Sequence, residues 1–281
     1  MQDAEISPCC LTIAGSDCGG NAGVQADLRA FHAYGLHGCT VFTAMTAQNP
    51  RAVTAVHALS PEFVAAQLDA VLGVYDIRAL KTGMLATADI IRVVARKLRD
   101  HPEIKMVIDP VMVSTSGAKL ISDDAVAVLA EELIPLATLV TPNLPEAHVL
   151  AGDCDAVRGG CRADDALVAR ELAERLGAKL GCAVLVKGGH GSDASAVDVM
   201  FDPARPPDSR FASFDMPWIR DPLSTHGTGC SLAAALAANL AKGRDLADAV
   251  RSAKHYVHEA IRTSFRVGPD DCGVLGFVHD L

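Results

Sequence analysis

Short apolar segments alternate with longer segments of helical periodicity along almost the whole 281-residue chain. Residues 10–14 have the near-continuous apolar character of a strand that is buried on both faces. Residues 22–34 follow, with Val24, Leu28 and Phe31 at helical spacing and Gly35 just beyond the predicted end. A repeated strand–helix order predicts a parallel sheet with helices on both faces. We therefore expect an α/β fold, a three-layer α/β/α sandwich around a mainly parallel sheet.

The same alternation continues to the end of the chain. Further strands are predicted at 39–45, 77–81, 106–108, 138–141 and 183–187. Helices are predicted from Ser60 onward and at 88–98, 122–133, 145–150 and 164–176, with two more starting near 229 and 246. Residues 197–200 and 210–215 read as two antiparallel arms around a proline-rich turn. No linker, repeat or low-complexity segment interrupts the pattern, so we expect residues 1–281 to form a single domain.

Composition excludes several classes of protein. Half of the residues (50%) are hydrophobic, which excludes a disordered chain, and only 4% are aromatic. The formal net charge is −9 with no Lys/Arg-rich block, so nucleic acid is not an expected partner. The Ala/Leu-rich segment 232–241 is too short to span a membrane and the N-terminus lacks a signal-peptide pattern, so we expect a cytoplasmic protein. Nine cysteines without a C-x-x-C pair are mostly expected to be buried.

Polar clusters follow the predicted strands. In an open parallel sheet, ligands bind at the carboxyl ends of the strands, so these clusters are expected to meet at one edge. They are residues 15–17, 48–49, 81–83, Asp109, Asn143 and 187–189.

The strongest local signal is the segment 224–230, which leads directly into an Ala-rich helix. Gly227 and Gly229 allow close approach of the backbone to a ligand, and the unpaired N–H groups of the helix start favour an anion. Cys230 lies in the first turn, where the pKa of a thiol is lowered and a thiolate becomes available. A glycine-containing helix start with a buried packing cysteine is the alternative interpretation.

Three charged residues at strand ends are further candidates. Asp109 and Glu146 could together hold Mg²⁺, because hard carboxylate oxygens are its preferred ligands. Alternatively, Asp109 caps a turn and Glu146 is an acidic residue in the first turn of a helix. Lys187 precedes two glycines and could reach a phosphate, or it could be a solvated strand-end lysine.

Several common catalytic motifs are absent from the sequence. The loop 15–23 does not match G-x-G-x-x-G, which disfavours a dinucleotide site. No G-x-x-x-x-G-K-[ST] segment occurs, which excludes a P-loop enzyme, and no G-x-S-x-G segment supports a serine hydrolase.

Eight ordered motifs together resemble the hydroxymethylpyrimidine/phosphomethylpyrimidine kinases of thiamine biosynthesis, in the ribokinase-like superfamily. The resemblance covers about residues 10–265. The motifs are LTIAGSD (11–17), GVQADL (23–28), TAMTAQN (43–49), KTGML (81–85), DPVM (109–112), TPNLPEA (141–147), KGGH (187–190) and HGTGC (226–230).

The resemblance implies an ATP- and Mg²⁺-dependent enzyme with a ribokinase-like fold, similar to proteins that are commonly homodimers. It implies phosphorylation of 4-amino-5-hydroxymethyl-2-methylpyrimidine, and then of the monophosphate to the diphosphate. Carried over by motif, Cys230 would be the base, and the segment with Gly227 and Gly229 would form the anion hole. The remaining roles would be pyrimidine binding by Gly15, Asp27, Gln48, Met84 and Val111, nucleotide binding by Lys187, Asn143 and Thr228, and Mg²⁺ binding by Asp109 and Glu146, also assisted by Asn143.

One segment departs from the family pattern. Similar enzymes usually have Pro-Ser-Gly-Gly where this chain has Cys18-Gly19-Gly20-Asn21, so we expect a more mobile loop and a changed substrate preference.

Three alternative functions remain open. The nearest alternative is a pyridoxal or hydroxyethylthiazole kinase of the same superfamily. A thiol acyltransferase using His226 and Cys230 lacks an evident third group to orient the histidine. A non-catalytic vitamin-binding protein is the third alternative.

Overall fold

A mainly parallel sheet forms the middle layer of the structure. The computed structural model describes residues 7–112, 121–153, 165–188, 195–269 and 272–279. Within these residues one sheet has nine strands, which are β1 (Cys9–Asp17), β2 (His37–Asn49), β3 (Ala52–Ala58), β4 (Ile77–Thr82), β5 (Lys105–Ile108), β6 (Leu139–Val140), β7 (Ala183–Val186), β8 (Ser195–Phe201) and β9 (Phe211–Pro217). Two short strands, β10 (Phe265–Arg266) and β11 (Gly273–Val274), pair separately.

The strands are ordered β3-β2-β1-β4-β5-β6-β7-β8-β9 across the sheet. Strands β2, β1, β4, β5, β6 and β7 are parallel to one another, whereas β3, β8 and β9 join by antiparallel pairing. The chain passes from β1 to one neighbour, β2, and later returns to the other neighbour, β4. The connections after β1 and β4 therefore diverge, and a crevice forms at the carboxyl ends of these two strands.

Helices cover both faces of the sheet and complete a three-layer α/β/α sandwich, as predicted. One face carries α2 (Pro61–Leu72), α3 (Ala88–Leu98), α4 (Asp123–Val128), α5 (Leu144–Ala151) and α6 (Asp165–Leu180). The other carries α1 (Gly23–Ala33), α7 (Thr228–Ala241) and α8 (Leu246–Arg262). In the described part of the chain no helix is long and apolar enough to cross a membrane.

Most predicted elements are confirmed, because their periodicity reflects real burial. Helix α3 occupies 88–98 as predicted, and α2 begins after Ser60, whose side chain accepts a hydrogen bond from the Phe63 N–H. The antiparallel arms appear as β8 and β9 around the proline-rich turn. The predicted start of α6 at 164 lies outside the described residues.

Three local features differ from the prediction. Strand β3 was not predicted, because it is an edge strand with both faces largely exposed and therefore has no apolar alternation. The helix predicted over 122–133 is α-helical only to Val128; a π-turn over Leu129–Leu133 and a 3₁₀ turn over Ile134–Leu136 follow. The short pair β10–β11 was also not predicted.

The cysteines mostly behave as packing residues. Cys9, Cys10, Cys39 and Cys182 are buried, as predicted. Cys18 is exposed, and Cys230 and Cys272 are partly buried. Cys154 and Cys161 lie outside the described residues.

Candidate active site

Five polar side chains from five strands or strand ends face the layer of α1, α7 and α8. Each lies two residues after a member of the apolar core beneath those helices, and strand alternation therefore turns both residues to the same face. The apolar members are Cys10, Ala79, Val107, Leu139 and Leu185. The polar members, hereafter the polar row, are Thr12, Lys81, Asp109, Thr141 and Lys187.

Lys81 and Asp27 form an ion pair with no exposed side-chain surface. The Lys81 Nζ lies 3.1 and 3.2 Å from the two carboxylate oxygens of Asp27, and the Thr12 hydroxyl donates to Asp27 Oδ2 at 2.6 Å. Burial acts to lower the pKa of Lys81, but the charge of Asp27 outweighs it, and the pKa lies above its usual value. Lys81 is therefore a buried, charged ammonium group.

The contact of Asp27 with the pyrimidine stays a prediction, and in the structure Asp27 has other partners. Asp27 lies on the inner face of α1, is fully buried, and has both oxygens engaged by Lys81 and Thr12. A buried ammonium needs a counter-charge, and this requirement accounts for Asp27. Lys81 itself was not among the predicted site residues, although a lysine inside an apolar strand signals a buried acidic partner.

Asp109 and Lys187 form the second ion pair of the polar row. Lys187 Nζ lies 2.8 Å from Asp109 Oδ1, and the Thr141 hydroxyl is directed at the same oxygen at 3.4 Å. The start of α7 meets this pair, because a Cβ added at Gly229 would lie 3.6 Å from both Asp109 Oδ2 and Lys187 Nζ. Asp109, Lys187 and Gly229 thus converge at one edge of the sheet.

Glu146 and Asn143 form a capping box at the start of α5. The Asn143 side chain accepts from the Glu146 N–H at 2.8 Å, and Glu146 Oε2 accepts from the Asn143 N–H at 2.9 Å. Glu146 Oε1 is also 3.4 Å from the Met112 N–H. Burial raises the pKa of Glu146 to about 7, with the charge of Lys187 opposing the rise. Both predicted site residues therefore also stabilise a helix start.

Close backbone contacts leave room only for glycine at two positions, one in the segment 224–227 before α7 (hereafter the α7 loop) and one at the start of α1. Gly227 precedes α7 with φ +89°, and a Cβ there would lie 2.0 Å from the Asn21 carbonyl oxygen. Gly23 has φ +56°, and its added Cβ would lie 2.3 Å from the Gly15 carbonyl oxygen. Thr228, the first residue of α7, donates its hydroxyl to the Thr225 carbonyl at 3.0 Å.

The predicted lowering of the Cys230 pKa by the helix start is wrong. Burial raises the pKa of the Cys230 thiol above its usual value. The charge of Lys81 and the backbone N–H of Gly23 act in the opposite direction and favour the thiolate. The helix start was visible in the sequence, whereas the burial of the thiol beneath it was not.

Gln48 belongs to a hydrogen-bonded network at the rim of the crevice. Its Nε2 lies 3.1 Å from His226 Nε2, and its Oε1 accepts from the Thr46 hydroxyl at 3.2 Å. His226 Nε2 also lies 3.9 Å from Asp17 Oδ2, so a carboxylate is close to the histidine. The network links the loops after β1 and β2 to the α7 loop.

The unusual loop at Cys18 is held by Asp17. The Asp17 carboxylate accepts from the N–H groups of Gly19, Asn21 and Ala22 at 2.8, 2.8 and 2.9 Å. Burial acts to raise the pKa of Asp17, but His226 and these N–H groups outweigh it, and the pKa lies below its usual value. The greater mobility of this loop stays a prediction.

The residues predicted to line the pyrimidine faces lie near the switch point of the sheet. Gly15 interrupts the β1–β2 register, and a Cβ there would lie 3.3 Å from the Met84 sulfur. Met84 and Val111 are half-buried, and Val111 follows Asp109, to whose carbonyl its N–H donates. Gly15 and Met84 are thus brought together.

Comparison with known proteins gives concordant results. A family model described as phosphomethylpyrimidine kinase matches residues 17–274. The chain is 48% identical over 262 residues to a hydroxymethylpyrimidine/phosphomethylpyrimidine kinase of Rhizobium meliloti, covering 92% of this chain and 91% of that protein. An ADP complex of Bacillus subtilis pyridoxal kinase superposes with a TM-score of 0.82 at 33% identity, over 97% and 98% of the two chains. A phosphomethylpyrimidine kinase from Clostridium difficile gives a TM-score of 0.73 at 36% identity, over 91% and 99%.

The buried carboxyl group of Glu146 leads to a test by pH-dependent stability. A raised folded-state pKa means that its contribution to stability is complete below the unfolded pKa and is lost as the pH rises through about 7. Glu146→Gln keeps an acceptor for the Asn143 N–H but cannot ionise. Between about pH 5 and about pH 8 the wild type should therefore lose more unfolding free energy than the variant, by at most about 3 kcal/mol.

Urea unfolding at the two pH values measures this difference. Glu62→Gln is the matched control, because Glu62 lies in the first turn of α2 but is exposed. The control should follow the wild type at both pH values. An equal pH dependence in the wild type and Glu146→Gln would show that Glu146 ionises normally in the folded protein.

Proposed function

The chain belongs to the phosphomethylpyrimidine kinase family, and from this premise we propose how its own residues divide the work of phosphoryl transfer. The protein is an ATP-dependent kinase that phosphorylates 4-amino-5-hydroxymethyl-2-methylpyrimidine and its monophosphate for thiamine biosynthesis. The observation that carries the assignment of roles is the convergence of Lys187, Asp109 and the N-terminus of α7 at one edge of the sheet. An ammonium group beside a helix start forms an environment suited to phosphate.

Lys187 and the α7 loop act on the transferred phosphoryl group. Lys187 is held at the edge of the sheet by Asp109, 2.8 Å away, with its ammonium close to Gly229. The N–H groups of Gly229 and Cys230 lie in the first turn of α7, with no preceding helical turn to bond, whereas the Thr228 N–H lies 3.4 Å from the Thr225 carbonyl. In the transition state, charge develops on the phosphoryl oxygens, and preorganised N–H groups and an ammonium stabilise it. Asn143 pairs with Lys187 in a short parallel bridge, and Thr228 directly precedes Gly229. Both residues are therefore assigned to nucleotide contacts.

Asp109, with Glu146 behind it, fits a Mg²⁺ ion that is bound together with ATP. Among the described residues no three His, Cys, Asp or Glu side chains are arranged as a metal cage. The carboxylates of Asp109 and Glu146 suit Mg²⁺, which commonly binds through one or two carboxylates, substrate phosphates and water. Asp109 uses Oδ1 for Lys187 and directs Oδ2 toward Gly229. When bound, Mg²⁺ would supply neutralisation of phosphate charge.

Gln48 recognises the edge of the pyrimidine, and Gly15, Met84 and Val111 contact its faces. The amide of Gln48 is oriented by Thr46 and His226 before substrate arrives, which reduces the entropic cost of binding. The absence of a side chain at Gly15, beside the Met84 sulfur, leaves room for a flat ring. His226 therefore acts through Gln48, and this position supports a recognition role over a role as acyl-transfer base.

Cys230 accepts the proton of the substrate hydroxyl. Its raised pKa means that the thiol is mainly protonated near neutral pH, and Lys81 favours the thiolate as the proton is taken up and released. The phosphoryl-transfer transition state is loose, so little proton removal is required before the leaving bond breaks. A weakly ionised thiol therefore suffices, and the main contribution comes from the electrostatic groups.

Three broader assignments are also proposals. A single domain over residues 1–281 is supported by helices α1–α8 packing on one sheet. The homodimer rests on the family resemblance and the cytoplasmic location on the sequence pattern, and both stay predictions.

The activity is tested with a coupled assay of ATP consumption on four substrates. These are the hydroxymethyl pyrimidine, its monophosphate, pyridoxal and hydroxyethylthiazole. We expect the highest kcat/KM with the two pyrimidines. A higher kcat/KM with pyridoxal would instead support the alternative that the similarity to pyridoxal kinases represents. Pyrimidine binding without ATP consumption would indicate a non-catalytic binding protein.

Gln48→Ala should raise the KM for the pyrimidine and leave the KM for ATP nearly unchanged. Removing one partner of a buried hydrogen bond costs about 1–3 kcal/mol, which corresponds to a KM increase of about fivefold to about 150-fold. Gln67→Ala is the matched control, because Gln67 bonds the backbone of Phe42 in the fold rather than the crevice. An unchanged pyrimidine KM in Gln48→Ala would exclude this recognition role.

Cys230→Ala and Cys230→Ser should fold, bind both substrates and lose kcat by about 10²-fold, the low end of general-base effects. Because the thiol pKa is raised, wild-type kcat should increase with pH from about 6 to about 9, and this dependence should disappear in both variants. Cys18→Ser should retain the wild-type profile, since Cys18 is exposed and a serine hydroxyl can replace its thiol in the hydrogen bonds with the Gln48 backbone. Near-wild-type kcat in Cys230→Ala would reassign the thiol to packing.

A further inference from the structure

A buried ion pair beside Lys187 has no role in the site described so far. Asp198 on β8 and Lys254 on α8 are 6% and 7% exposed, and Lys254 Nζ lies 2.6 Å from Asp198 Oδ2. Burying two charges is costly, and apolar residues of similar volume would stabilise a core as well or better. The pair therefore calls for an explanation beyond packing.

The other oxygen of Asp198 is bonded to the backbone that follows Lys187. Asp198 Oδ1 accepts from the Gly188 N–H at 2.8 Å. The antiparallel β7–β8 ladder ends with Val186 opposite Val199, so the Asp198 side chain supplies the acceptor just beyond the last ladder pair. The two backbones are so close that a Cβ at Gly188 would lie 1.9 Å from the Val197 carbonyl oxygen.

Lys187 is thereby held from both sides of β7. Its own N–H donates to the Pro142 carbonyl at 2.8 Å, at the end of the neighbouring β6. On the opposite side Asp198 holds Gly188, and at the tip Lys187 Nζ reaches Asp109. The Lys187 ammonium can stay in position when phosphate binds only if the backbone at Lys187 and Gly188 is fixed.

The partner of Asp198 comes from the helix that packs on α7. Lys254 lies on the buried face of α8, and α8 and α7 belong to the same core layer. The ammonium of Lys254 compensates the buried carboxylate and leaves Oδ1 for the Gly188 N–H. The Asp198–Lys254 pair thus connects the backbone after Lys187 with the helical layer that includes α7.

We propose that Asp198 is a positioning residue for ATP: it fixes the backbone at Lys187 and Gly188 through the Gly188 N–H, while Lys254 neutralises the Asp198 carboxylate. The proposal rests on the proposed contact of Lys187 with the nucleotide phosphates. The positioning role requires a hydrogen-bond acceptor at Asp198 Oδ1. The residue is a carboxylate because its two oxygens can accept from Gly188 and Lys254 at the same time.

The test compares ATP affinity in three variants, with ATP titrated calorimetrically in the absence of pyrimidine. In Asp198→Asn the single amide oxygen is drawn to the Lys254 ammonium, so Gly188 loses its acceptor, and ATP should bind about tenfold more weakly. Lys254→Gln keeps the carboxylate on Gly188 and should lower Tm while ATP affinity stays within about twofold. Asp198→Asn combined with Lys254→Gln removes the competing ammonium, so ATP affinity should return to within about twofold of the wild type.

A purely structural role predicts a different pattern, in which Tm changes and ATP affinity does not. Arg251→Ala is the control on the same helix, because Arg251 pairs with Asp248 on the exposed face. Wild-type ATP affinity in Asp198→Asn, or no recovery in the double variant, would overturn the proposal. If Asp198→Asn does not fold, Asp198→Ala with Lys254→Met removes both buried charges; it should bind ATP about tenfold more weakly, and wild-type affinity there would also overturn the proposal.

The readout separates this proposal from the proposed function. ATP titration requires no phosphorylation, so it measures the effect of Asp198 even if none of the four candidate substrates is turned over. In the kinetic assay, Asp198→Asn should raise the KM for ATP about tenfold and leave the KM for the pyrimidine unchanged. If the wild-type enzyme phosphorylates the pyrimidine and Asp198→Asn keeps the wild-type KM for ATP, the positioning role of Asp198 is refuted and the proposed function is not affected.

Discussion

Lys81 lies with no exposed surface in a central strand, and its ammonium is neutralised by Asp27 on the first helix. A buried charge of this kind requires its partner, so the position of α1 over β1 and β4 is coupled to the ion pair. The same ammonium acts on Cys230 and favours its thiolate. One interaction therefore links the first helix, the switch point of the sheet and the start of α7.

The approach of α7 to this edge depends on small residues. The helix is rich in alanine, and residues 231–239 are buried against the sheet and its neighbouring helices. Gly227 meets the loop after β1 in a conformation that disfavours a side chain, and Gly229 lies beside the Asp109–Lys187 pair. Close packing of small side chains thus brings the N–H groups of the helix start near the Lys187 ammonium. That geometry stabilises developing charge on a phosphoryl group.

Periodicity in the sequence predicted the elements that are buried on at least one face. The helix at 88–98, the parallel strands and the β8–β9 arms all follow from it. Strand β3 was missed because its residues are exposed on both faces, and the break after Val128 has no local signal in an apolar segment. The strand-end clusters predicted Asp109 and Lys187 at one edge because parallel strands end together.

The sequence by itself determined the layered α/β architecture, the family and the edge of the sheet where the site lies. These follow from local periodicity, ordered motifs and the common direction of parallel strands. The tertiary structure decided which polar groups meet: Asp27 with Lys81, Gln48 with His226, and Asp198 with both Gly188 and Lys254. It also decided that burial raises the pKa of Cys230, where the helix start alone predicted a lower value. Pairing and desolvation depend on residues that are distant in the chain, and no local pattern records them.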